Sequence, residues 1–341
     1  MSAETIALDH MDGVEVAARL VSGQLDDLLI DTDLPRPGTV YRAIADRPVK
    51  GQGGMFVRTP DGPGFLRQVK GLAPGQSLLV QVTGYAEPGK AVPVTTRVLF
   101  KSRFAIITPD APGLNVSRAI KDEDLRDTLL ELAHAEIGAQ KTGLILRSAC
   151  AGGDADAIAE DIRAMRDLAL AVLADANGQG PETLIDGDGP HALAWRDWGD
   201  PAEVVTAPGC LVSLGVRDQI DMLRDAQVLL AGGGSFYIEP TRALVAIDVN
   251  TGGDSSPAAG LKANLAMARD LPRHLRLRGL GGQITLDLAP MPKKDRRVFE
   301  TTLRAALRKD PVETVLAGWS PLGHFELQRK RDRLPLTEVL K

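Results

Sequence analysis

The sequence of 341 residues predicts an α/β protein that contains a small β-barrel. Three observations carry that expectation. Between Gly38 and Val98, five short segments of period-two character (GTVYRAIA, GGMFVRT, GPGFLRQV, SLLVQVTGYA, AVPVTTRVLF) are separated by Gly, Pro and charged turns. After Gln227, apolar strand-like runs alternate with stretches of helical spacing. A hydrophobic content of 44% is enough to form real cores, and 35 Gly with 22 Pro mark a turn-rich chain.

Taken in order, the first 35 residues read as two strands around a turn, VEVAARLV and DDLLIDTD. Five strands in so short a span close most economically as a five-stranded barrel of the oligonucleotide-binding (OB) type, over residues 37–98. Tyr41, Phe56 and Phe65 either fill its interior or face outward, where they would stack on bases. FAIITPD is a further strand, and LRDTLLELAHAEIG (125–138) a helix stopped by glycine. KTGLILRSAC is a strand that delivers Arg147 and Ser148 to the start of a long amphipathic helix, DADAIAEDIRAMRDLALAVLADANG. An arginine and a hydroxyl at such a junction suit an anion, or equally a capped surface arginine. Residues 176–206, with DGDGP and WRDWGD, read as a loop-like seam. VRDQIDMLRDAQVLL is a short helix leading into a strand. GSFYIEP and ALVAIDVN form a hairpin across Pro240–Arg242. AAGLKANLAMARDLPRHLRLRGL is a helix interrupted or kinked near Pro272, GGQITLDLAPM a strand, and RRVFETTLRAALRKD a helix.

The net charge of −5 weighs against a polyanion partner until its distribution is considered. From Lys262 onward there are 17 Lys/Arg against 9 Asp/Glu, a balance of +8, which leaves −13 for residues 1–261. Such segregation suits either a polyanion-binding face or ordinary solvated surface. Two unpatterned cysteines, Cys150 and Cys210, point to a reducing compartment and away from a disulfide scaffold or a cysteine-built zinc site. The start, MSAETIALDHMDGVEV, lacks a basic-then-apolar leader, and no apolar run approaches the roughly 18 residues of a membrane span. A soluble cytoplasmic protein is the expectation.

Two strand ends carry the chemistry. Asp248 and Asn250 are i,i+2 on an extended run and point the same way, and Asp287 ends the apolar run ITL. If the two strands are neighbours, two carboxylates and an amide oxygen meet at one sheet edge. Adjacent carboxylates repel and call for protons or a cation. Hard oxygen donors suit Mg²⁺, with Mn²⁺ a second candidate, and the chemistry would be metal-activated water attacking a phosphodiester. Taken singly, either aspartate is as readily a cap or turn residue. Lys262, Arg269, Arg273, Arg276 and Arg278 are the nearest basic side chains in sequence for phosphate contacts, with the tail stretch FELQRKRDR. His274 and His324 lack metal-ligand spacing and receive no role.

The sequence resembles the ribonuclease E/G family. The resemblance is carried by LVAIDVNTGG (244–253), LKANLAMARDLPRHLRLRGLGGQITLDLAPM (261–291), RRVFETTLRAALRKD (296–310) and WSPLGHFELQRKR (319–331). The family has the same order: an AIDVN-S/T-G strand, a KTNLEAA-type helix, an RLRxLGG turn, an apolar strand into aspartate and a closing GLLExxRxR helix. Upstream, GPGFLRQV, KAVPVTTRV, LNVSRAI and GLILRSA fall where the family has barrel strands and a phosphate-sensing segment. The match is strong from 244 to 331 and looser before 100.

The resemblance implies a ribonuclease-H-like subdomain (1–36 and 99–206), the OB-type barrel (37–98) inserted in it, and a second α/β subdomain (207–341) carrying the metal site. It implies Asp248 and Asp287 as Mg²⁺ ligands, with Asn250 supporting the metal and the scissile phosphate. Arg147 and Ser148 fall on the pair that grips an RNA 5′ monophosphate, and Arg118 on a basic neighbour. Phe56, Phe65 and Lys90 fall in the barrel stretch that clamps single-stranded RNA, and Lys262, Arg276 and Arg278 are expected to contact RNA. The implied activity is Mg²⁺-dependent endonucleolytic cleavage of single-stranded RNA in rRNA or mRNA processing or decay. The alternative is an RNA-binding protein of the same fold with little cleavage. Departures from the family pattern are Pro290 for a second aspartate, Gly279 for an aspartate in the RLRxLGG turn, and SSPAAG (255–260) for an acidic pair. The sequence ends at Lys341 without a CPxC zinc-link or small domain. A monomer or dimer without structural zinc, and not a zinc-linked tetramer, is therefore expected.

Overall fold

The computed structural model describes residues 3–49, 53–67, 71–87, 89–138, 142–199, 201 and 203–340. The end of the third barrel segment (Gln68 and Val69), Lys141 at the head of KTGLILRSAC and the last residue of WRDWGD lie outside them.

The chain opens with three strands rather than two: β1 (Glu4–Met11), β2 (Val14–Val21) and β3 (Gln24–Ile30) form an antiparallel meander. Its turns are Asp12-Gly13 and Ser22-Gly23, with φ of 53°, 85°, 52° and 79°. Positive φ at both central residues is the two-residue hairpin geometry that matches strand twist. VEVAARLV and DDLLIDTD are β2 and β3, and the added strand is β1, ETIALDHM, ahead of them. In β3, Asp27 lies in the strand's interior and is buried.

The predicted barrel follows as β4 (Val40–Val49), β5 (Gly54–Thr59), β6 (Gly62–Leu66), β7 (Ser77–Val82) and β8 (Val92–Thr95). The order β4-β5-β6-β8-β7 returns to β4 by an antiparallel pairing and closes the sheet on itself. β6 and β8 are its parallel pair, and the whole is the OB-type arrangement. Tyr41, Ala43, Val57, Leu66, Val80, Val82 and Val94 fill the interior.

A second sheet is built from β9 (Phe100–Lys101), β10 (Ala105–Thr108), β11 (Gly113–Val116) and, after helix α1 (Glu123–Ile137), β12 (Gly143–Leu146), in the order β11-β12-β10-β9. α1 is terminated at Gly138, the predicted stop, and is capped by Asp122, ahead of the predicted stretch. Helix α2 (Ala155–Ala174), capped by Asp154, packs with α1 on this sheet around Ile107, Leu144, Leu146, Ile158 and Ile162. The stretch expected to be a loop holds β13 (Glu182–Ile185), which joins β4, and helix α3 (Pro190–Asp197). Pro190 stands at the first helical position, where its missing N–H costs nothing, so the DGDGP cluster starts a helix rather than extending a loop.

β14 (Glu203–Val205) pairs in parallel with β1. α4 (Cys210–Ser213) and α5 (Val216–Met222) lead to a six-stranded mixed sheet. Its strands are β15 (Gln227–Leu229), β16 (Ser235–Pro240), β17 (Val245–Asn250), β18 (Gly282–Asp287), β19 (Thr314–Trp319) and β20 (Phe325–Arg329), ordered β15-β16-β17-β18-β20-β19. Between β17 and β18 runs α6 (Ala259–Leu277), between β18 and β19 α7 (Arg296–Leu307), and α8 (Leu336–Val339) ends the described chain. The segment GHFELQRKR is thus a strand, β20, antiparallel to β18, and not the helix the family pattern suggests.

α6 continues through Pro272 as one helix. An interior proline costs about 3 kcal/mol. Met267, Leu271 and Leu275 are completely buried against the sheet, and each large apolar side chain contributes about 1.5–3 kcal/mol, so packing outweighs the proline.

Contacts divide the chain into two compact units, Met1–Thr32 with Pro201–Lys341, and Asp33–Asp200. β1–β3 share the first of these units with the strands and helices that follow Pro201. Among the described residues no helix is long and apolar enough to cross a membrane.

Candidate functional site

In β17, burial alternates: Val245, Ile247 and Val249 enter the core while Asp248 and Asn250 are exposed. β18 repeats the pattern, with Ile284 and Leu286 buried and Asp287 exposed. The strands are parallel neighbours in the register Asp248↔Asp287, so the two carboxylates stand side by side on one face. Adjacent strands lie about 4.8 Å apart, well within reach of one small cation between the side chains. Asn250 Nδ2 donates to Asp248 Oδ2 at 2.9 Å, which fixes that carboxylate and leaves the amide oxygen available.

The edge is completed by groups that spacing in the sequence does not reveal. Tyr237 of β16 is opposite Asp248 in register and shares its face. His324, just before β20, brings Nε2 to 4.0 Å from Asp287 Oδ1. The turn Gly232–Gly234 packs flush on the loop after β17: a Cβ on Gly252 would sit 2.2 Å from Gly233 O, and one on Gly234 2.6 Å from Asn250 O. Lys262 is exposed, 3.5 Å from Asp254.

Among the described residues no group of three or more His, Cys, Asp or Glu side chains is arranged to hold a metal ion. The donors at this edge are two carboxylates and one amide oxygen. That hard, solvent-facing set fits Mg²⁺, an ion that keeps several of its waters and takes one or two protein carboxylates. Cys150 and Cys210 are buried, separate thiols, and burial pushes Cys150 up to about 11.

Arg276 and Arg278, expected to contact RNA, are buried, at 6% and 7% exposed. Arg276 is paired with Asp310, lies 3.3 Å from Asp26 and donates to Asp26 O at 2.7 Å. Arg278 donates to His274 Nδ1 at 2.6 Å and to Asp225 O at 2.9 Å. Their guanidinium groups hold the interior together.

In the other unit, Tyr41 lies in the barrel core, its hydroxyl donating to Asp61. Burial and that carboxylate push the phenol upward. Phe56 and Phe65 lie across from each other on β5 and β6, on the face opposite the core residues Val57 and Leu66. Their ring centroids are 5.4 Å apart, and the Arg47 guanidinium lies 5.2 Å from the Phe56 ring. Lys90 is exposed, 2.8 Å from Glu87.

Arg147 is committed within the fold: it donates to Ser102 O at 2.5 Å, Arg196 O at 3.1 Å and Asp197 Oδ1 at 2.6 Å. Burial opposes the charge on Asp197, yet hydrogen bonds from Arg196 and Arg147 hold its carboxyl below the usual range. Ser148 and Arg118 are exposed.

The architecture is that of a protein with an OB-type barrel, an aromatic pair on the barrel's outer face and, in a separate unit, a carboxylate pair at the C-terminal ends of two parallel strands. The chain belongs to the ribonuclease E/G family, whose pattern matches residues 100–200 and 206–332. It is 29% identical to ribonuclease G of Salmonella typhimurium over 78% of this chain and 62% of that protein. It is 28% identical to ribonuclease E of a Nostoc species over 95% of this chain and 56% of that protein. A third relative, ribonuclease G of Escherichia coli K12, is 29% identical over 78% of this chain and 62% of its own length. The chain thus spans less than two thirds of the length of these relatives.

Proposed function

We propose that the protein binds single-stranded RNA in RNA processing. The observation that carries this reading is the Phe56–Phe65 pair on the barrel's outer face with Arg47 beside it. Two partly buried rings next to a guanidinium offer π faces to successive bases and a cation to the backbone. Lys90 and Lys262 supply further phosphate contacts, and Ser148 and Arg118, with Arg147, are the candidate 5′-phosphate group. In this reading residues 1–36 with 99–206 are the ribonuclease-H-like part.

A second reading, Mg²⁺-dependent endonucleolytic cleavage, is favoured by the Asp248↔Asp287 register. Asp248 and Asp287 would hold the ion, Asn250 would keep Asp248 oriented, and the flush glycine turn would leave room for a phosphate. The bound ion would supply an activated water and charge stabilisation at phosphorus.

One experiment separates these readings. A 5′-monophosphorylated, AU-rich single-stranded RNA is incubated with Mg²⁺ and either the wild type or Asp248→Asn. Internal cuts that require Mg²⁺ and vanish in the variant establish cleavage. Binding of both proteins without cuts that depend on Asp248 leaves the RNA-binding reading alone. Absence of binding by the wild type removes both.

A further inference from the structure

Among the described residues, Trp195 is the only aromatic side chain with large exposure: 65% of it faces solvent. The other tryptophans are used internally. Trp198 is buried, and Trp319 packs on Phe299 and Phe325. Trp195 is also held in place. Arg103 donates to Trp195 O at 2.7 Å and lays its guanidinium 4.3 Å from the indole centroid. The end of α3 is pinned by Arg147, which donates to Arg196 O and Asp197, and by Arg196, which donates to Asp188 at 2.5 Å. An indole with a cation on one face, most of its area open, and its helix fixed by ion pairs is a preformed platform. It loses little side-chain entropy when a flat partner stacks on the open face.

We propose that Trp195, with Arg103, is a nucleobase-stacking site for single-stranded RNA, separate from the Phe56–Phe65 pair; the proposal rests on the RNA-binding reading above. The chemistry selects the occupant. A base supplies the flat π face that completes an Arg–Trp–base stack, and its phosphate supplies the anion for the guanidinium at the ring edge. Arg147 is already paired with Asp197, so base stacking here does not depend on a 5′ phosphate.

The test is a titration of the whole chain with a short unstructured RNA, read both by tryptophan fluorescence and by anisotropy of a label on the RNA. Stacking on Trp195 quenches the emission. The expected results are quenching by single-stranded RNA with a 5′ hydroxyl or 5′ monophosphate alike, and none by a duplex whose bases are already stacked. Trp195→Phe should keep the affinity within about twofold while losing the quench. Trp195→Ala and Arg103→Ala should each weaken binding, the former about fivefold or more, with unchanged melting curves. If Trp195→Ala binds as tightly as the wild type and no quench occurs, while Phe56→Ala/Phe65→Ala still weakens binding, the Trp195 site is overturned and the barrel reading stands. If the wild type binds no RNA, both fall.

Discussion

At the scale of single residues, one glycine shows how the loop beside the carboxylate edge depends on backbone shape, and one aspartate how the interior depends on a buried charge. Gly252 has φ of +61°, and a Cβ there would meet Gly233 O at 2.2 Å, so both conformation and space demand glycine. Gly252→Ala is expected to cost about 1–3 kcal/mol and to push the loop after β17 away from the Gly232–Gly234 turn. The urea midpoint should fall, and Mg²⁺-dependent binding of RNA, where present, should weaken with it. Asp27 is a different case. It is 1% exposed, accepts from Arg333 at 2.5 Å, lies 3.4 Å from Arg276, and its carboxyl is held below the usual range by these arginines despite burial. Removing the charge leaves cations without their counter-ion in the interior. Asp27→Asn should therefore destabilise the protein by about 3–5 kcal/mol in equilibrium denaturation.

At the scale of elements, α6 carries a titration that folding has altered. His274 accepts from Arg278 at Nδ1, faces Asp270 at 3.0 Å through Nε2, and has Arg273 at 3.0 Å. Burial lowers its pKa; Asp270 acts the other way, and the two arginines reinforce the drop. A histidine depressed in the fold binds its proton more readily when unfolded. Its contribution is therefore complete above the unfolded value of about 6.5 and declines as pH falls below that towards the folded value. Urea midpoints measured from pH 7.5 down to 5 should fall, and His274→Gln should flatten that slope. The same helix marks what was legible in the sequence. Periodicity gave α6, and the apolar runs ending in aspartate gave β17 and β18; burial alternation then set Asp248, Asn250 and Asp287 on one face. The roles of Arg276 and Arg278 were not legible, because their partners lie far away in sequence at Asp26, Asp225 and Asp310. The strand that went unread is β1, whose run ETIALDHM carries Glu4, Asp9 and His10. Trp195 was hidden in a Gly/Asp-rich stretch whose Pro190 starts a helix instead of a loop.

At the scale of the molecule, the charge segregation of the sequence is partly an interior pairing. Asp26 and Asp27 from the acidic beginning meet Arg276 and Arg333 from the basic end, within one compact unit. That unit needs both ends of the chain: β1 pairs with β14, and Leu20, Leu25 and Leu28 share a core with Leu211, Val216, Ile220 and Leu336. The unit Asp33–Asp200 is continuous in sequence and has its own cores, one inside the barrel and one beneath α1 and α2. The expected consequence is an asymmetry between fragments. Residues 33–200 expressed alone should melt cooperatively by circular dichroism. Residues 201–341 alone should not, because the core under α4, α5 and α8 and the counter-ions of Arg276 and Arg333 are missing. Adding a peptide of residues 1–32 should restore part of the cooperative transition, and the Asp27→Asn peptide should restore less. A cooperative melt of 201–341 by itself would show that β1–β3 are dispensable and that the paired charges contribute little to that fold.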